Sequence, residues 1–143
     1  MTGDAHSRPI LLVEDNPTDL DLTRRAFARL KLTNPMEVAR DGQEVLEMIP
    51  RWGGALPLPL VILLDLKLPR VDGLEVLRQL RAHPVTRSLP VVVLTSSNED
   101  GDIQAAYQLH ANSYILKPVN FDKFLEVAAH IERYWCLLNQ PPR

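Results

Sequence analysis

LVILLDLKLPRVDG, residues 60–73, is the stretch from which the fold can be read. Its first five residues, Leu60 to Leu64, form an apolar run too short to span a membrane and rich enough in branched side chains for a strand buried on both faces. The run stops on a carboxylate, Asp65. A loop containing Pro69 comes next, then Asp72-Gly73, and Leu74, Val76 and Leu77 open a helical pattern. A carboxylate at the C-terminal end of a central parallel strand lies where open α/β sheets place their chemistry. Taken alone, Asp65 could equally end a strand or cap the next turn, so the flanking sequence has to decide.

Working outward, the same unit recurs. PILLV at 9–13 is a strand running into Glu14-Asp15, and Asn16-Pro17 reads as the N-cap and first turn of a helix with Leu20, Thr23, Phe27 and Leu30 on one face. Residues 36–39 form a short second strand, and Asp41-Gly42-Gln43-Glu44 resembles a capping box opening a helix through Val45, Leu46 and Ile49. Residues 52–59, with two glycines and two prolines, form a connector. Beyond the central stretch, a helix over about 72–82 places Leu74, Leu77 and Leu80 inward and ends at His83-Pro84. PVVVL at 90–94 is another buried strand, running into Thr95-Ser96-Ser97. A weakly amphipathic helix over 102–109 comes next, then a last strand over 113–116 ending on Lys117-Pro118. The final helix starts near Asn120 and carries Phe121, Phe124, Leu125, Ala128, Ile131 and Trp135. Five strands alternating with five helices predict an α/β fold, a doubly wound parallel sheet of flavodoxin-like order 2-1-3-4-5. Residues 1–8 read as a disordered arm, 9–135 as one domain, and 136–143 as an extension of the last helix with a tail.

The 143 residues suit one domain, and 45% hydrophobic with 24% charged residues is ordinary for a globular protein. A net charge of −2 lacks the basic footprint of nucleic-acid binding. No stretch reads as a membrane span or signal peptide, and the single Cys136 excludes an internal disulfide, so a cytoplasmic location is expected. His6, His83, His110 and His130 are scattered without metal-ligand spacing.

The strand ends carry the chemistry. Strand one ends on Glu14-Asp15, strand three on Asp65, strand four on Thr95-Ser96-Ser97 and strand five on Lys117. The expected strand order brings Glu14, Asp15 and Asp65 to one crevice, where three carboxylates repel unless a cation offsets them. A hard divalent ion, Mg²⁺ or Mn²⁺, suits oxygen donors. With the Thr95 hydroxyl and the Lys117 ammonium, these are the parts for phosphoryl transfer to a carboxylate.

The motifs LLVEDNP around Glu14-Asp15, LLDLKLPRVDG around Asp65, VVLTSS around Thr95 and YILKP around Lys117 together resemble the receiver domains of two-component response regulators, over nearly all of residues 9–135. The resemblance implies that Asp65 accepts a phosphoryl group from a sensor histidine kinase. It also implies that Glu14, Asp15, Asp65 and the backbone carbonyl of Lys67 hold the metal ion. Lys117 pairs with Asp65 before phosphorylation and with the phosphoryl group after it; Thr95 and Tyr114 form the switch. A cis Lys117-Pro118 peptide is implied as well. Lys67 and Ser97, two residues after Asp65 and Thr95, occupy positions that affect phosphoryl lifetime in the family.

No second domain follows in the sequence, so output through a contact with another protein is expected. Tyr134, Trp135, Leu137 and Leu138 extend the last helix with apolar surface, either as an interface or packed on the protein's own core. This ending resembles the single-domain regulators that accompany bacterial phytochrome kinases, whose C-terminal region takes part in homodimers. Three other classes compete. An aspartyl-phosphate phosphatase or ATPase is opposed by Lys67, which stands where haloacid-dehalogenase-like enzymes have a second aspartate. A flavodoxin-like cofactor binder lacks the phosphate loop after strand one. A receiver-like scaffold that takes no phosphate conflicts with the complete set of site residues.

Overall fold

The computed structural model describes residues 8–139. Five parallel strands, β1 (Ile10–Val13), β2 (Met36–Ala39), β3 (Val61–Leu64), β4 (Val91–Thr95) and β5 (Ser113–Leu116), form one sheet in the order β2-β1-β3-β4-β5. Between and after them run α1 (Pro17–Arg29), α2 (Gly42–Met48), α3 (Gly73–Ala82), α4 (Asp100–Gln108) and α5 (Phe121–Ile131). The expected order and element count are observed. None of the helices among the described residues is long and apolar enough to cross a membrane.

Strand alternation divides the core into two layers. Leu11, Val13, Ile62, Leu64, Val91 and Val93 face α2, α3 and α4, meeting Val45, Val76, Leu77, Leu80 and Ala106. Ile10, Leu12, Val61, Leu63 and Val92 face α1 and α5, meeting Leu20, Phe27, Phe124, Ala128 and Ile131. Because helices cover both faces, the strand sequences are apolar throughout instead of alternating.

Local signals set the helix starts. The Asn16 side chain accepts from the N–H groups of Thr18 and Asp19 at 2.9 and 3.0 Å, and Asp72 accepts from Glu75 N at 2.9 Å. Asp41 accepts from Glu44 N at 2.8 Å, as a capping box requires, but the return arm from Glu44 reaches the N–H of Arg40, one residue further upstream. Strand β4 runs one residue later than expected, to Thr95, because Pro90 has no N–H to donate while the Thr95 carbonyl still accepts from Lys117 N at 2.8 Å. Helix α4 begins at Asp100, two residues earlier than its apolar pattern suggests.

The chain ends differ from simple continuations. Arg8 donates to the carbonyls of Leu58 and Pro59, so this residue is fastened to the connector before β3. The rest of the expected arm, and residues 140–143 of the tail, lie outside the described residues. After α5 the backbone widens into a π-helical segment, Glu132–Leu138, closed by Asn139 N donating to Tyr134 O at 2.6 Å. This corrects the inward position expected for Trp135. At α-helical spacing Trp135, four residues after Ile131, would face the core; the wider winding gives that place to Cys136, five residues on, which is buried.

Two glycines hold the loop after β3. A Cβ on Gly73 would lie 2.3 Å from the backbone oxygen of Asp65, and one on Gly42 would lie 1.9 Å from the Val71 oxygen. The start of α3 thus packs directly beneath Asp65. Gly73→Ala should therefore destabilise the fold by about 1–3 kcal/mol through overpacking. Gly101→Ala, exposed in α4 with nothing within 4 Å of its Cβ position, should stabilise it by up to about 1 kcal/mol. Urea denaturation of the two variants reads both signs.

Candidate functional site

The register of the sheet levels the strand ends. Val13 pairs with Leu64, and Leu64 with Val93, so the residues after β1 and β3 emerge side by side at the C-terminal edge. Asp65 N–H donates to Val13 O at 3.1 Å, and Glu14 N–H to Ala39 O at 3.0 Å. Both carboxylates are buried, as is Thr95 at the end of β4. Of the expected site residues, Glu14, Asp15, Asp65, Thr95 and Lys117 meet here. One oxygen from each of Glu14, Asp15 and Asp65 lies within 4.8 Å of the others.

The Lys117 ammonium is the hub. Its Nζ lies 2.6 Å from Glu14 Oε1, 2.7 Å from Asp65 Oδ2 and 2.9 Å from Asp19 Oδ2. Thr95 Oγ1 donates to the other Asp65 oxygen, Oδ1, at 2.8 Å, and the Lys67 N–H donates to it at 3.2 Å. The expected cis peptide at Lys117-Pro118 is corrected: among the described residues no peptide is cis. The lysine still reaches the crevice, because its N–H continues the β4–β5 pairing and directs the side chain across the strand ends.

Asp19 was not singled out from the sequence. It stands in the first turn of α1, where an acidic residue reads as complementing the helix dipole, and only the folded chain brings it to Lys117. The Asn16 cap and the Glu14 side chain, which accepts from Asn16 N at 3.1 Å, hold that turn against the site.

Burial and charge compete within this cluster. Burial raises the Glu14 pKa to about 7, against the opposing pull of Lys117 and the Asn16 N–H. Burial also disfavours the Lys117 cation, but hydrogen bonds to Asp65, Glu14 and Asp19 outweigh it and leave that pKa raised. The outer rim is polar. Tyr114 OH donates to the Ser97 carbonyl at 2.8 Å, and Ser97 Oγ donates to Asp102 Oδ2 at 2.5 Å. The Tyr114 ring is half-buried beside the α3–α4 core layer.

The expected interface residues lie far from these strand ends. Tyr134 and Leu138 are 52% and 59% exposed, and Trp135, half-buried, meets the Tyr134 ring edge-on at 4.8 Å. Together with Ile115 and Ile131, Tyr134 and Trp135 line an open groove of about 450 Å³ between β5 and the end of α5. The Leu137 side chain is outside the described set.

The response regulator receiver domain family matches residues 10–129. The chain is 45% identical over 134 residues to the probable methanogenesis regulatory protein FilR2 of Methanothrix harundinacea, covering 93% of this chain and 86% of that protein. Response regulator Rcp1 of Synechocystis sp. is 36% identical over 128 residues, covering 88% and 87%. Its Mn²⁺-bound structure is similar at TM-score 0.86, with 34% identity over 95% of this chain and 99% of that one. The phosphorylated cyanobacterial phytochrome response regulator RcpA is similar at TM-score 0.88, with 35% identity over 96% and 99% of the two chains.

The donor set fits Mg²⁺ or Mn²⁺: it consists of carboxylate oxygens converging from two adjacent strand ends, with net negative charge left after Lys117 is counted. Glu14 must be ionised to contribute. Its raised pKa means that the proton stabilises the cation-free fold below the ordinary carboxylate range, a contribution lost as pH rises through about 7. A proton and a divalent cation therefore compete for Glu14. Mg²⁺ should bind well at about pH 8 and weaken towards about ten-fold per unit as pH falls below the Glu14 pKa. Calorimetric titration across that range should show the slope, and Glu14→Gln should flatten it while weakening binding.

Proposed function

The chain belongs to the response regulator receiver-domain family, and from that premise we propose that Asp65 is its phosphoacceptor and that Thr95 and Tyr114 report the phosphoryl group to a protein-binding surface. Receiver domains are phosphoacceptors that histidine kinases phosphorylate and that bind Mg²⁺ or Mn²⁺ at an acidic site. The observation that supports the assignment is the double contact of Asp65, with Lys117 on Oδ2 and Thr95 on Oδ1.

In the transfer, an Asp65 carboxylate oxygen forms a bond to phosphorus as the P–N bond to the kinase imidazole breaks, and the electron pair stays on the imidazole nitrogen. A divalent cation on Glu14, Asp15, Asp65 and the Lys67 carbonyl neutralises charge on the transferring oxygens. Lys117 passes from Asp65 Oδ2 to a phosphoryl oxygen, remaining charged because Glu14 and Asp19 stay beside it. The Thr95 hydroxyl turns from Oδ1 to another phosphoryl oxygen. Thr95 and Ser97 share one short segment, and Ser97 carries the Tyr114 hydroxyl on its carbonyl, so a shift of that segment moves Tyr114. Phosphorylation is then a population shift between two packings, biased by one charged group. The protein consumes and regenerates its own side chain without turning over an external substrate.

A phytochrome-linked histidine kinase is the kinase we infer, supported by the similarity to RcpA and Rcp1 over almost the whole chain. Tyr134, Trp135, Leu137 and Leu138 are the proposed contact with a second copy of the chain, supported by the exposed Tyr134 and Leu138 beside the β5–α5 groove. The charge of −2 favours a protein over a nucleic acid as the downstream partner.

Acetyl phosphate and Mg²⁺ should add one phosphoryl group to the protein, seen by intact mass, and none to Asp65→Asn. No addition to a folded, unmutated chain would overturn the phosphoacceptor reading. Sedimentation of the Tyr134→Glu/Leu138→Glu double variant should show a monomer under conditions where the parent dimerises.

A further inference from the structure

The rim of the site carries a charged bridge that the transfer itself does not use. Asp102, in the first turn of α4, accepts from Ser97 Oγ at 2.5 Å, and the same oxygen, Oδ2, lies 3.4 Å from Lys67 Nζ. The two partners come from separate loops, Lys67 from the one after β3 and Ser97 from the one after β4. Each stands two residues beyond a group of the Asp65–Thr95 hydrogen bond. One carboxylate oxygen therefore fastens both loops across the mouth of the site.

The bridge also anchors a helix. Glu99, the N-cap of α4, makes no side-chain capping bond; its N–H points to Ser97 Oγ at 3.4 Å. The start of α4 is thus secured by the serine and aspartate that hold Lys67. The Ser97 hydroxyl first, and Lys67 after it, keep the Asp102 carboxyl below its ordinary pKa, so it is an anion throughout the neutral range. Lys67 is tethered at its other end, since its own N–H donates to Asp65 Oδ1 at 3.2 Å. Its side chain is 64% exposed.

We propose that Asp102 is the resting partner of Lys67 and competes with the phosphoryl group for its ammonium, so that phosphoryl arrival at Asp65 and release of Lys67 by Asp102 are one exchange. This rests on Asp65 being the phosphoacceptor. A phosphoryl group brings up to about two negative charges against the single charge of Asp102. An exposed ion pair is weak and easily exchanged. After the exchange Asp102 keeps only Ser97, and the α4 start is no longer fastened to the loop after β3. Asp102 is a positioning residue in this scheme: it acts on the phosphoryl group only through where it holds Lys67.

The test is a double-variant cycle on the rate of phosphorylation by acetyl phosphate with Mg²⁺, read by intact mass. Asp102→Asn keeps an acceptor for Ser97 Oγ and removes the charge. It should speed phosphorylation by about two- to five-fold, the range an exposed ion pair commands, and high salt should erase the difference. In a Lys67→Met background the same substitution should change nothing; in Lys67→Arg the acceleration should return. Equal acceleration with and without the Lys67 charge would overturn the proposal, since Asp102 would then act through Ser97 and α4 alone. No acceleration in an otherwise unchanged, folded chain would overturn it too. If the unmutated chain takes up no phosphoryl group, the phosphoacceptor reading itself falls, and the exchange with it.

Discussion

The Lys117 ammonium, within hydrogen-bonding distance of three carboxylates, is the contact on which the arrangement of the strand ends depends. Glu14 and Asp65 are buried on neighbouring strands, and two buried carboxylates that close are tolerable only when a cation and hydrogen-bond donors are fixed beside them. The cation comes from β5, the far edge of the sheet, and crosses the end of β4 to reach β3 and β1. That crossing works only with β4 between β3 and β5 and with the strand ends in level register. Strand order and charge balance are thus one constraint. Gly73 extends it below the site, because only a residue without a Cβ lets α3 start against the Asp65 carbonyl.

Much of this was legible because the informative residues change type abruptly. An apolar run that stops on a carboxylate, a hydroxyl or a lysine marks both a strand and its end, and this located Glu14, Asp15, Asp65, Thr95 and Lys117. The sheet order came from the alternation of elements. The final helix was less legible. Its apolar residues continue at α-helical spacing through Trp135, and nothing in the composition signals the wider turn that buries Cys136 instead.

Asp19 and Asp102 were hidden for a different reason. Each sits in the first turn of a helix, where a carboxylate is favourable whatever lies beyond it. Their partners are distant in sequence, 98 residues for Asp19 with Lys117, or belong to another loop, as for Asp102 with Lys67. A residue with a sufficient local explanation gives no signal of its long-range role.

The two acids also divide the site into parts with different physics. On the β1 side the groups are dry and over-determined: Glu14 holds Lys117 and the Asn16 N–H, and Asn16 in turn caps the turn that carries Asp19. Moving any one of them strands a buried charge, so that side resists change. On the β4 side the contacts are a hydroxyl, a carbonyl and an exposed ammonium, each able to exchange partners at low cost. A phosphoryl group added between them meets a fixed wall on one side and a yielding rim on the other. The displacement it causes must pass through the loop after β4, and from there to α4 and Tyr114, because that is where the opposing interactions are weakest.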